Sequence, residues 1–162
     1  MCIQYLNFPK VPEELLEPVD VILNKKPIPT LYNFESNNIP YSIRPITHNL
    51  YSWLISVLPF MFVPFYQIIF PGITIHKDVG NRRVAINYLL ETGGDNVTTS
   101  TYEEDATTLI ASEVLREREW HYIQSELWHG VEGVIRPRVA LTMRLADKAQ
   151  DAFLKDTSSF LK

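Results

Sequence analysis

The 162-residue chain is 46% hydrophobic and 21% charged, with a formal charge of −4. These values fit one globular domain with a substantial core, set aside general disorder, and supply no basic footprint for nucleic acid. Its one cysteine, Cys2, excludes an intrachain disulfide or a cysteine-rich zinc site and fits a reducing, cytoplasmic setting.

Residues 1 to 45 are rich in proline ("FPKVP", "EPVDV", "KKPIPT"), which predicts an irregular arm with one short helix around "PEELLEPVDVIL". "MCIQYLNFPK" lacks a basic leader followed by an apolar core, so no signal peptide is expected. In "ITHNLYSWLISVLPF" the spacing of Leu50, Trp53, Leu54, Val57 and Leu58 predicts an amphipathic helix ended by Pro59. "MFVPFYQIIF" reads as a strand closed by Pro71-Gly72. Prolines and Gln67 interrupt this apolar region, so it makes a poor membrane span.

Beyond Gly72 the strands "ITIHKD", "RRVAINYLL", "NVTTSTYE", "REWHYIQ", "ELWHGV" and "PRVALTMRL" follow one another, separated by turns such as "ETGGDN" and "VEGVIRP". That spacing predicts an all-β barrel or sandwich with helices packed outside. "LADKAQDAFLKDTSSFLK" predicts a short helix and tail. The expected organisation is an arm over 1–45, a β domain over 46–147 and a C-terminal helix or tail over 148–162.

Alternate side chains on a strand face opposite ways. One face of "RVAINYLL" carries Val84, Ile86, Tyr88 and Leu90, and one face of "RVALTMRL" carries Val139, Leu141, Met143 and Leu145. Both read as core. The opposite faces run Arg83, Ala85, Asn87, Leu89 and Arg138, Ala140, Thr142, Arg144. Such faces suit solvent-exposed sheet, but small residues beside an arginine also suit a lumen that holds a ligand.

His76 and Asp78 are at i and i+2, so an extended chain points both the same way. His129 lies downstream in "SELWHGVEG". Two imidazoles and a carboxylate on one side of a metal leave positions open on iron(II). An H-x-D pair also recurs by chance, and His48 and His121 are expected to be packing or surface residues.

The order of these parts resembles the 2-oxoglutarate- and iron(II)-dependent dioxygenases, whose ligands read H-x-D…H with an arginine following. "HKD" at 76 to 78, "WHGVEG" around His129 and "RPRVALTMRL" carry the likeness, over roughly residues 59 to 145. It looks closest to small aspartyl/asparaginyl and prolyl hydroxylase-like members, including those of bacteriophages, which would place the chain in a host cytoplasm. "PGITIHKD" and "RRVAINYLL" fit their turn-then-ligand and arginine-then-asparagine patterns.

The resemblance implies a double-stranded β-helix, or jelly roll, with flanking N-terminal helices. It implies iron(II) on His76, Asp78 and His129, 2-oxoglutarate and O2 as cosubstrates, and ascorbate as an aid. Arg138 would pair with the distal carboxylate of 2-oxoglutarate, with Arg136 as rival at the turn. Asn87 and Tyr66 would hydrogen-bond the cosubstrate, Arg83 would serve substrate or cosubstrate, and Arg82 would point away into solvent.

The implied reaction is hydroxylation of a C–H bond in a peptide or protein side chain, proline or Asp/Asn, with a small metabolite as the other substrate class. Neither nucleic acid nor membrane is an expected partner, and the oligomeric state is open. The acidic loop "TYEEDATT" reads equally as a gate or a solvated loop. Two other functions compete: a β-barrel binding or assembly module without turnover, and, third, a zinc hydrolase, which lacks a recognisable glutamate base.

Overall fold

The computed structural model describes residues 2–29, 41–78 and 80–162; part of the proline-rich arm, residues 30–40, lies outside the described residues. The strands are β1 (Ile3–Tyr5), β2 (Tyr41–Arg44), β3 (Phe62–Ile69), β4 (Val84–Glu91), β5 (Thr98–Tyr102), β6 (Leu109–Glu113), β7 (Trp120–Gln124), β8 (Trp128–Glu132) and β9 (Arg138–Leu145). They form two antiparallel sheets. The larger runs β1-β7-β4-β9-β3-β2 and the smaller β6-β5-β8. The chain is therefore mainly β.

Among the described residues three α-helices accompany the sheets: α1 (Val19–Asn24), α2 (His48–Val57) and α3 (Asp147–Lys155). The Thr47 side chain caps α2 by accepting the Leu50 amide at 3.2 Å, satisfying one of the amides that a helix start leaves without a partner. Leu50 and Leu54 turn inward one turn apart. The helix expected around "PEELLEPVDVIL" is split into a 3-10 turn at Glu13–Leu15 and α1. Pro18, at the junction, has no N–H to continue a ladder. No helix among the described residues is long and apolar enough to cross a membrane.

Alternation along the strands divides the larger sheet into two faces. Val84, Ile86, Tyr88, Leu90, Trp120, Tyr122, Val139, Leu141 and Met143 join Ile22, Leu50, Leu54 and Phe153 of the helices in one buried cluster. At about 25 cal/mol per Å² of apolar surface removed from water, this burial is the main force holding helices to sheet. The opposite face carries Gln67, Ala85, Asn87, Leu89, His121, Ile123, Arg138 and Ala140. With Thr99, His129 and Val131 of the smaller sheet they line a cavity.

Three elements differ from the sequence reading. The arm contributes β1 and β2, which pair onto β7 and β3 as the two edges of the larger sheet. β6, an edge strand whose Leu109 and Ile110 are exposed, was not expected. "ITIHKD" is not a strand; only His76 pairs, in an isolated bridge to His129.

Candidate metal centre and the cavity it lines

The bridge between His76 and His129 builds the site. Each amide donates to the other's carbonyl, at 2.9 and 2.8 Å, which sets the imidazoles side by side with ring centroids 4.5 Å apart. Gly130 lets the two segments approach, since a Cβ there would lie 3.2 Å from Ile75 Cγ1. Asp78 completes the cluster, its amide donating to Ser125 O at 3.1 Å. Ligand atoms of His76, Asp78 and His129 all lie within 4.8 Å of one another. Asp78 Oδ1 is 3.9 Å from His76 Nε2 and 3.8 Å from His129 Nε2.

Both imidazoles are oriented by backbone carbonyls so that Nε2 is the nitrogen turned to the cluster. His76 Nδ1 lies 2.8 Å from Thr74 O, and His129 Nδ1 lies 2.8 Å from Leu127 O. A carbonyl only accepts, so each Nδ1 carries a proton, which leaves Nε2 as the nitrogen that could take a metal. Burial pushes the His129 imidazole below its ordinary pKa, against the pull of Asp78. Burial would raise the Asp78 carboxyl, but Arg82 first, then His129 and His76, outweigh it and hold it below the usual carboxylate range. Two neutral nitrogens and one carboxylate oxygen are the donor set that a divalent ion of iron type accepts.

Arg138 lies in the same cavity, 5% exposed. Its Nη2 donates to Thr99 Oγ1 at 3.1 Å, its Nη1 is buried without a hydrogen-bond partner, and none of the ion pairs found among the described residues involves it. Burial lowers its pKa to about 10, so it remains a cation at neutral pH. A buried guanidinium with an unmet donor is costly unless an anion completes it. Arg136 takes the other course at the turn, pairing with Glu91 at 3.0 Å.

Gly93 sets the start of β9. Its φ is +84°, and a Cβ there would stand 2.9 Å from both Arg136 O and Arg138 Cβ. Gly93→Ala is therefore expected to lower the unfolding free energy by about 2 kcal/mol, from the left-handed backbone and the clash together. Denaturant titration with Gly72→Ala as control checks this: the control's φ is +91° but its Cβ meets nothing, so it should cost less.

The remaining expected residues divide. Asn87 lines the cavity and accepts from Thr142 Oγ1 at 2.8 Å. Tyr66 does not reach it. It pairs in register with Leu141 and belongs to the helix-covered core, where burial and Glu17 raise its phenol pKa. Gln67, one residue on, takes the cavity face. Arg83 does not line the cavity either; it precedes β4 and pairs with Asp151. Arg82, expected in solvent, instead lines the cavity with its Nε 3.3 Å from Asp78 Oδ2.

The acidic loop is tied down. Asp105 accepts the Thr107 and Thr108 amides at 2.9 and 2.8 Å. Lys77, between two candidate ligands, reaches Glu104 at 2.7 Å and stands 5.5 Å from the Trp128 ring centroid.

The sequence reading missed His121, Thr99 and Ser125. His121 shares a cross-strand row with Asn87 and Thr142. Strand parity carried the signal, since His121 must face away from the core residues Trp120 and Tyr122. It is 1% exposed, and its Nδ1 lacks a hydrogen-bond partner among the described residues. Burial, reinforced by Arg138, lowers its pKa to about 3.

The unfolded chain thus takes up a proton near pH 6.5 that the folded protein refuses until about pH 3. His121 accordingly withdraws stability as pH falls between those values. Between pH 6.5 and 4.5 the protein should lose about 2–3 kcal/mol more than His121→Asn, measured by urea unfolding at each pH. Parallel pH curves would show that His121 is not buried neutral.

No model of a known protein family matches the chain, and no curated protein sequence matches it either; the likeness to the dioxygenases stands on the motif residues.

Proposed function

We propose that this chain is an iron(II)- and 2-oxoglutarate-dependent oxygenase, that its two sheets form a double-stranded β-helix, and that it hydroxylates a C–H bond of a peptidyl side chain, proline or Asp/Asn. The observation that carries the reading is Arg138, a buried cation without a carboxylate partner among the described residues, in the cavity bordered by His76, Asp78 and His129. A three-donor metal site asks for further ligands, and a lone guanidinium asks for an anion. A small α-keto dicarboxylate answers both.

When bound, the iron and 2-oxoglutarate supply the oxidative chemistry, in which decarboxylation to succinate and CO2 accompanies insertion of oxygen into the substrate C–H bond. The chain's residues bind and orient. Arg138, braced by Thr99, takes the distal carboxylate as a planar fork. Asn87 supplies an amide to the same wall. Ala85 and Ala140 leave space between the arginine and the ligands, while Leu89, Ile123 and Val131 exclude water.

The cavity has a volume of about 80 Å³. That is well above the roughly 10–15 Å³ that a cavity needs to hold one water, which leaves room for a small polar guest. We infer that a peptide approaches from the more open hollow that Asp78 and Arg82 share with Asn81 and Arg83.

Succinate release from 2-oxoglutarate, with iron(II), O2 and a panel of proline-, aspartate- and asparagine-containing peptides, tests the proposal. The expected result is iron-dependent succinate, slow without peptide and faster with a matching one. A binding module that keeps the fold without turnover gives none under any condition.

A further inference from the structure

The two oxygens of Asp78 meet different surroundings. Oδ1 faces both imidazoles, at 3.9 and 3.8 Å from their Nε2 atoms. Oδ2 faces Arg82, whose Nε lies 3.3 Å away. That N–H is buried and makes no directed hydrogen bond, so the contact is an ion pair between side chains only 15% and 17% exposed. A carboxylate beside a divalent ion can bind through one oxygen or chelate through both. A cation held against one oxygen opposes chelation, because the metal and the guanidinium compete for the same lone pairs and repel each other.

The backbone fixes this arrangement through one residue. Ser125, fully buried, accepts the Asp78 amide at 3.1 Å and donates its own amide to Arg83 O at 2.9 Å. Its hydroxyl donates to Arg82 O at 3.2 Å. The candidate ligand and the arginine that touches it are anchored to the same serine.

We propose that Arg82 is a positioning residue that restricts Asp78 to one-oxygen coordination and so keeps a metal position free for exchangeable ligands. This rests on the metal reading of the site. Around a six-coordinate ion, His76, His129 and a one-oxygen Asp78 leave three positions open, and a chelating Asp78 leaves two. Arg82 thus acts on the capacity of the site rather than on whether metal binds.

The probe is Mn(II) alone, followed by free-Mn(II) electron paramagnetic resonance and by water-proton relaxation, which counts exchanging waters on the ion. In Arg82→Gln the relaxation enhancement per bound Mn(II) is expected to fall by about a third, as three open positions become two. Mn(II) affinity should hold or tighten, because a bond is gained and a neighbouring cation removed. Arg82→Lys keeps a charge beside Oδ2 and should stay near the parent value. A merely structural role would instead lower affinity and thermal stability together in both variants.

Equal enhancement in Arg82→Gln and the parent overturns the proposal while leaving the metal site standing. Loss of Mn(II) binding in both variants overturns it too, since Arg82 would then belong to the scaffold. Failure of the parent protein to bind Mn(II) removes the metal reading itself.

Discussion

Replacing Arg138 by methionine is expected to stabilise the ligand-free protein and to abolish capture of 2-oxoglutarate. The first effect follows from burial. Burial depresses the folded pKa of Arg138 to about 10, well below the ordinary value for a guanidinium. The cost of burying its charge is therefore fully present below pH 10 and is relieved only as pH rises toward the unfolded value. Methionine keeps the apolar stem and removes the charge. The gain should be about 1–3 kcal/mol at pH 7, less the lost bond to Thr99.

The second effect follows from the proposed pairing. Truncating one partner of a buried, hydrogen-bonded charge pair costs about 2–5 kcal/mol, or roughly thirtyfold to several thousandfold in affinity. Thermal unfolding with and without N-oxalylglycine, with Mn(II) present, reads both effects. The parent should be shifted upward by the ligand, and Arg138→Met should start higher and not shift. A destabilised variant that still responds to ligand would show that Arg138 serves the fold and not the cosubstrate.

Removing Asp78 has the largest expected effect on metal. Asp78→Ala deletes the only carboxylate in the cluster and leaves Arg82 beside two neutral imidazoles. Loss of a supporting contact around a metal already costs about 10–100-fold in affinity, so loss of the anionic donor should exceed 100-fold and take succinate release with it. His129→Ala is expected to do the same. His121→Asn and His48→Asn should retain Mn(II) binding, since neither side chain is in the cluster. Calorimetric titration across the four variants checks this. Loss of binding in the His121 or His48 variant would move the site elsewhere.

The legible parts of this molecule are those where local pattern and burial agree. β4 and β9 alternate cleanly, so parity separates their core face from the face that carries Asn87 and Arg138, but it does not tell whether that second face meets solvent or a cavity. His76 and Asp78 were legible as donors facing the same way, and His129 joined them through the resemblance rather than through any local pattern. Their convergence depends on a cross-strand bridge that no local pattern announces.

The illegible parts lacked such agreement. In "MFVPFYQIIF" Gln67 is a single polar break in a run otherwise apolar or aromatic on both faces, too weak a signal to assign Tyr66 and Gln67 to core and cavity; the register with β9 decides. Arg83 lies one residue ahead of β4, where alternation no longer holds and Asp151 is within reach. Arg82 sits in the same loop, turned inward by the bonds to Ser125. β1, β2 and β6 are short edge strands, two of them among prolines, and pair through backbone atoms that leave little trace in side-chain pattern.

Crystals soaked in Mn(II) and measured at the manganese absorption edge would locate the ion directly. A single anomalous peak roughly 2.0–2.3 Å from His76 Nε2, Asp78 Oδ1 and His129 Nε2 is the predicted result. A peak elsewhere, or an empty map at these three side chains under saturating metal, would contradict the metal centre and the oxygenase reading built on it.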